Sequence, residues 1–76
     1  MHSAIINEVV SKLEEKLPDI VSRKIISQMT GGLYTTSSLA NMDSLGLGPT
    51  EKFKIGKKVV YPKDSFLNWL RAQITE

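Results

Sequence analysis

The sequence predicts a mainly α-helical α+β fold in a single domain over residues 1–76. Three observations predict it. Apolar residues recur at helical spacing in four segments, paired glycines separate the second segment from the third, and two short β-prone runs flank a Gly-Lys pair. A chain of this length buries one small core. We therefore expect helices at about 3–16, 22–30, 36–45 and 63–75, and a β-hairpin at about 53–61.

The first two helices are predicted from their periodicity and their ends. The first helix is an extra N-terminal element over residues 3–17, and Pro18 ends it. The second helix opens with Ser22 as its N-cap, and Gly31-Gly32 ends it because paired glycines suit the left-handed residue after a helix. The apolar stripe of the first helix comprises Ile5, Ile6, Val9, Val10, Leu13 and Leu17.

The third and fourth helices are predicted in the same way. A run of hydroxyl residues from Thr35 to Ser38 predicts the third N-cap, since such side chains accept hydrogen bonds from the first helical turn. Gly46, Gly48 and Pro49 end this helix. Its apolar side comprises Leu39, Ala40, Met42 and Leu45, and that of the last helix comprises Phe66, Leu67, Trp69, Leu70 and Ile74.

The predicted hairpin is cationic. Strand alternation is expected to place Phe53 and Ile55 on the core and Lys54 toward solvent. From Lys52 to Lys63 there are five lysines and no acidic residue. Such a hairpin suggests contact with a polyanion, and nucleic acid is the first candidate. Lysines that protect an exposed strand edge from aggregation would give the same pattern.

Composition narrows the possible functions. The chain has no cysteine, which excludes disulfides and thiolate metal sites and favours a reducing, cytoplasmic location. Its one histidine, His2, lies at a terminus, where chains tend to fray, and there is no second histidine and no cysteine, so we expect no nucleophile–base pair with His or Cys and no enzyme. We also expect no cofactor, no metal and no small-molecule ligand. No apolar run is long enough for a membrane span, and a signal-peptide pattern is missing.

The order of elements points to duplex DNA as the polyanion. Two helices, a short turn and a following hairpin match a helix-turn-helix with a β-wing. Ser37, Asn41 and Ser44 share one face of the third helix, where short polar side chains could approach base edges. Ser38 is expected to join them, and Thr35 or Thr36 to cap the helix and touch phosphate. Phosphate contacts are also expected from Arg23, Lys24, Lys52, Lys54, Lys57 and Lys58. The same face could simply be solvent-exposed, since Ser, Thr and Asn are also common on exposed helices that bind nothing.

The chain also resembles a known family. The resemblance rests on Leu33 to Met42, on Gly48-Pro49, on the hairpin from Phe53 to Pro62 and on Asp64 to Leu70. Over about 22–70 it resembles the small winged helix-turn-helix proteins of phages and prophages. These include excisionases and prophage regulators of the MerR-like superfamily. The resemblance implies sequence-specific double-stranded DNA binding, with the third helix in the major groove and the wing in the minor groove.

For partners, the resemblance implies an integrase or recombinase, or further copies of the chain on adjacent sites. Excisionases bind side by side and bend DNA for excision, whereas related proteins regulate transcription. The chain departs from this pattern in its nearly uncharged third helix, where Asp43 adds a negative group, and in the extra helix at 3–17. That helix could be a dimer interface, a partner-docking helix or a cap on the core.

Two alternatives to DNA binding remain at this point. The same elements fit a small protein-interaction module. Such a module would be a regulator or inhibitor that docks on a larger protein through the N-terminal helix. RNA binding is less favoured, because we expect no exposed aromatic residues at strand spacing for stacking bases.

Overall fold

A computed structural model describes the backbone of residues 2–74 and the side chains of residues 5–74. Within these residues the fold is α+β and mainly helical, with four helices and one three-stranded antiparallel sheet, which confirms the predicted class. The elements are α1 His2–Lys16, β1 Ile20–Ser22, α2 Arg23–Met29, α3 Thr36–Ser44, β2 Phe53–Ile55, β3 Lys58–Pro62 and α4 Lys63–Gln73.

The helix predictions are confirmed to within two residues at the described ends. Residue 75, the predicted end of the last helix, lies outside the described residues, and α4 ends at Gln73. The caps predicted at Ser22 and in the hydroxyl run from Thr35 to Ser38 form. The Ser22 hydroxyl accepts a hydrogen bond from the Ile25 N–H at 3.1 Å, and the Thr35 hydroxyl accepts one from the Ser38 N–H at 3.1 Å. These bonds satisfy N–H groups that the first turn of a helix leaves free.

The strand β1 was not predicted, because residues 18–21 were interpreted only as the connection between the first two helices. In the sheet the strand order is β1-β3-β2, and Val21 pairs with Tyr61. A three-residue strand is too short to show an alternating pattern, and it forms only through pairing with distant β3. The predicted two-stranded hairpin is therefore part of a three-stranded sheet.

The hairpin itself forms as predicted, around a two-residue loop. Ile55 pairs with Lys58, and Gly56 adopts a positive φ of 62° between them. Lys57, the second loop residue, has no positive φ, and a positive φ at the first loop position alone is the conformation of a type II′ turn, which glycine adopts without strain. The loop fixes the register and places Lys57 at the tip of the wing, the name used below for β2, the loop and β3.

The prediction that Phe53 and Ile55 pack on the core is wrong, whereas Lys54 is exposed as predicted. Phe53 pairs with Val60, and Lys54 pairs with Val59. Paired residues share a face, so Lys54 lies on the same face as Val59 and Tyr61, whereas Phe53 and Ile55 lie on the outer face. Phe53 remains 42% exposed and Ile55 remains 55% exposed. The outer face of the wing therefore exposes two apolar side chains, Phe53 and Ile55, beside the charged Lys58.

The core lies between the inner face of the sheet and the helices. Trp69 is buried as predicted, and its indole N–H donates to the carbonyl oxygen of Leu47 at 2.8 Å. Besides Phe53 and Ile55, three predicted core positions are exposed: Ile5 and Val9 on α1, and Leu45 after α3. Among residues 2–74 no helix is both long and apolar enough to cross a bilayer. The core cluster comprises Val10, Leu17, Val21, Ile26, Leu39, Tyr61, Phe66, Leu67, Trp69 and Leu70.

Candidate nucleic-acid interface

An open groove of about 310 Å³ lies where the start of α2, the start of α3 and the tip of the wing meet. Three lysines reach it from two elements, Lys24 from α2 and Lys57 and Lys58 from the wing. Among the described side chains, none that lines the groove is acidic. The lining is Ser22, Arg23, Lys24, Thr36, Lys57, Lys58 and Val59. We call this feature the cationic groove.

The fold builds the groove from local signals in the sequence. The Ser22 cap starts α2 immediately after β1, which brings Lys24 beside the sheet. The hairpin loop places Lys57 and Lys58 at the tip of the wing. The Thr35 cap starts α3 so that Thr36, its first residue, reaches the groove. Five of the residues predicted to contact DNA therefore converge: Arg23, Lys24, Thr36, Lys57 and Lys58.

The other predicted contact residues do not line the groove. Lys52 and Lys54 are exposed, before and within β2. Ser37, Asn41 and Ser44 are exposed on α3, and the Ser44 hydroxyl donates to the carbonyl oxygen of Asn41 at 2.8 Å. α3 thus carries an exposed polar face separate from the cationic groove.

Two predicted contact residues are engaged in capping α3. The N–H of Thr35 donates to the Ser38 hydroxyl at 3.1 Å, while the Thr35 hydroxyl accepts from the Ser38 N–H. This reciprocal pair is a capping box. The Ser38 hydroxyl also donates to the carbonyl oxygen of Thr35 at 3.1 Å. Ser38 therefore has a local structural partner, which the prediction of a base contact did not foresee.

Arg23 is held by two residues from distant parts of the chain. Its Nη2 donates to Asp43 Oδ2 at 2.7 Å, and its Nε donates to the hydroxyl of Tyr61 at 3.0 Å. The Tyr61 hydroxyl in turn donates to the same carboxylate oxygen at 2.5 Å. The arginine and aspartate side chains are only 22% and 6% exposed. This Arg23–Asp43–Tyr61 network ties α2, α3 and β3 together, so a phosphate would have to compete with Asp43 for Arg23.

Gly48 provides the space for the Asp43 carboxylate. A Cβ atom at Gly48 would overlap Asp43 Oδ1 and would lie 3.1 Å from its Cγ. Asp43 Oδ1 is buried and has no hydrogen-bond partner within the described side chains. The carboxylate is thus fixed on one side by Arg23 and Tyr61 and on the other by the loop after α3.

The network shifts the ionisation of two of its members. Burial alone would lower the pKa of Arg23, but hydrogen bonds with Asp43 and Tyr61 outweigh it and raise that pKa above its ordinary value. Burial, followed by the hydrogen bond to Asp43, raises the pKa of Tyr61 to about 12. At neutral pH the arginine is therefore charged and the tyrosine is neutral and able to donate.

The tyrosine shift predicts a loss of stability at high pH. Because the pKa of Tyr61 is higher in the folded chain than its ordinary value of 10.0, folding favours the protonated phenol. This contribution is complete below pH 10 and is lost as the pH rises through about 12. The difference in free energy of unfolding between the wild type and Tyr61→Phe, measured by urea unfolding, should therefore shrink across this pH range. A constant difference would contradict the raised pKa of Tyr61.

The sequence prediction missed the network and two lining residues. Ser22 was predicted only as a cap, and Val59 only as a strand residue. Asp43 was predicted as a negative group on the surface of α3, whereas the structure places it in an ion pair that is largely buried. Asp43 is 20 residues from Arg23 and 18 from Tyr61 in sequence, so no local pattern could have identified the pairing.

Comparisons with protein-family models, with curated proteins and with solved structures found no match to this chain.

Proposed function

We propose that the chain is a sequence-specific DNA-binding protein built as a winged helix-turn-helix. In this proposal α2 and α3 form the helix-turn-helix, and α3 enters the major groove. The wing lies along the minor groove and the phosphate backbone. The protein works without a cofactor.

The observation that carries the proposal is the cationic groove. Lys24 is remote in sequence from Lys57 and Lys58, yet the three side chains converge on one open concave surface whose described lining has no acidic residue. Ammonium groups gathered in this way suit successive phosphates of a nucleic-acid backbone, because each neutralised phosphate releases a condensed counterion. Thr36 adds a hydroxyl group that can donate to phosphate.

In this proposal the polar face of α3 recognises the base sequence of the DNA. Ser37 and Asn41 are exposed on a helix whose first residue lines the cationic groove. An asparagine can form paired hydrogen bonds with adenine, and a serine can donate or accept at several bases. This face has no arginine, the residue that makes the commonest contact with guanine, so we expect modest discrimination by a single copy.

The resemblance described above supports a mobile-element role. On that basis the protein acts as an excisionase-like architectural factor or as a transcriptional regulator. Its partners in this role are further copies of itself on adjacent sites, or an integrase or recombinase. The expected location is the cytoplasm, in association with the nucleoid.

The proposal is tested by a fluorescence-anisotropy titration of random duplex DNA at about 50 and 200 mM salt. Three lysine–phosphate contacts give a slope of log K against log salt of about −2.7, so affinity should fall about 40-fold over this range. Binding that does not depend on salt concentration, or no binding at the lower salt concentration, would refute the proposal.

The protein-interaction module remains a second candidate because of one feature of α1. Ile5 and Val9 lie one helical turn apart and are 63% and 50% exposed. An apolar contact through this face would respond little to ionic strength, in contrast to DNA binding. Salt dependence of partner binding therefore separates the two functions.

A further inference from the structure

The cationic groove contains four basic residues, but only three of them are free of an acidic partner within the described side chains. Lys24, Lys57 and Lys58 are exposed and line the groove. The fourth, Arg23, forms an ion pair with Asp43 at 2.7 Å. Arginine is normally the strongest phosphate ligand among the side chains, because its planar guanidinium can donate two parallel hydrogen bonds. Here its partner is a carboxylate of the same chain.

We propose that Asp43 limits the affinity of the cationic groove for the DNA backbone by withholding Arg23 from phosphate. This inference rests on the proposed function and assigns Asp43 a regulatory effect on that same site. The Arg23–Asp43 pair contributes no net charge to the groove, so the DNA backbone meets three positive charges instead of four.

The geometry explains why phosphate does not readily displace Asp43. Two nitrogens of the guanidinium are already occupied, Nη2 by Asp43 and Nε by the Tyr61 hydroxyl. The Asp43 side chain is 6% exposed, and Gly48 lies directly behind its free oxygen. The carboxylate therefore has little freedom to move away. In the competition between Asp43 and a DNA phosphate for Arg23, Asp43 is favoured.

A purely structural role for Asp43 gives the opposite expectation. If Asp43 only stabilised the fold, its replacement would weaken DNA binding or leave it unchanged. If it withholds Arg23, an isosteric neutral replacement should strengthen binding. The substitution Asp43→Asn would keep a side-chain oxygen as acceptor while the charge of Arg23 loses its counterion. The sign of the change in affinity therefore separates the two roles.

The first test compares Asp43→Asn with the wild type on random duplex DNA over a range of salt concentrations. We expect the affinity at low salt to rise roughly two- to five-fold, as for one added surface charge contact. The salt slope should become steeper by about 0.9, the value for one more phosphate contact. Glu15→Gln is the matched control. It removes one negative charge from an exposed position on α1, outside the groove lining, and should leave the salt slope unchanged.

A double variant keeps the test decisive if Asp43→Asn folds poorly. Arg23→Gln combined with Asp43→Asn replaces a neutral ion pair with a neutral amide pair. Its salt slope should equal that of the wild type, because the groove presents the same three lysines. A slope smaller by about 0.9 would mean that Arg23 already contacts phosphate in the wild type, and would overturn the inference.

The outcomes for the inference and for the proposed function can be distinguished. If the wild type binds DNA with a steep salt slope and Asp43→Asn is no tighter and no steeper, the inference fails and the proposed function stands. If the wild type binds no DNA at low salt, both fail. Tighter and steeper binding by Asp43→Asn, with Glu15→Gln unchanged, supports both.

Discussion

Replacing Asp43 with alanine should lower the free energy of unfolding by about 2–3 kcal/mol. Loss of one partner from a largely buried ion pair leaves the other charge without compensation, which costs about 3–5 kcal/mol when burial is complete. Arg23 keeps 22% exposure of its side chain, so water recovers part of this cost. The hydroxyl of Tyr61 also loses its acceptor. Urea unfolding at pH 7 measures the change.

An exposed acidic residue provides the control for this prediction. Glu15→Ala removes the same charge from the surface of α1 and should change the free energy of unfolding by less than about 0.5 kcal/mol. A loss below that same value for Asp43→Ala would contradict the network as a stabilising element. It would also remove the geometric basis for the role of Asp43 inferred above.

Replacing both Lys57 and Lys58 with alanine should reduce the affinity for random duplex DNA by about tenfold or more at 50 mM salt. Both residues line the cationic groove at the tip of the wing. Loss of two phosphate contacts should also reduce the magnitude of the salt slope by about 1.8, two contacts at about 0.9 each. Fluorescence anisotropy across a salt series gives both quantities. Because both side chains are exposed, the fold should tolerate the change.

The matched control for this variant lies on α1. Lys12→Ala with Lys16→Ala changes the net charge by the same amount, from exposed positions that do not line the groove. Lys12 pairs with Glu8 across one helical turn, at 3.4 Å, and both side chains are 66% exposed, so its loss costs little stability. Equal losses of affinity in the two double variants would show that net charge governs binding, and would contradict the groove as the site.

Local patterns predicted the helices and the hairpin well because most of these elements carry local start or stop signals. Ser22 and Thr35 accept hydrogen bonds from the helices that they begin, and Gly56 gives the wing its tight loop. β1 was not predictable in this way. Its three residues carry too little pattern, and they become a strand only where β3 offers a pairing edge.

The orientation of the wing shows the limit of alternation as a guide. Alternation correctly separated Phe53 and Ile55 from Lys54, but it could not say which set faces the core. That choice depends on the pairing of Phe53 with Val60, and a shift of one residue would exchange the two faces. Tyr61, which is fully buried, decides the inner face, and it lies on the other strand.

Individual residues of the candidate site were predictable from the sequence, but the contacts between them were not. Local charge predicted Lys24, Lys57 and Lys58 as contact residues, and the structure brings them to one groove. Local charge could not show that Asp43 pairs with Arg23, since that contact depends on how α3 packs beside α2 and β3. Nonlocal electrostatics therefore determined which of the predicted cations is held inside the protein.

NMR chemical-shift mapping with random duplex DNA at low salt tests the central claim most directly, because it locates the contact surface without a known target sequence. We predict that the largest changes fall on the backbone amides of Lys24, Thr36, Lys57, Lys58 and Val59, which line the cationic groove. Further changes should follow along the exposed face of α3. Changes concentrated between residues 5 and 13 of α1, or no changes at all, would contradict the DNA-binding proposal.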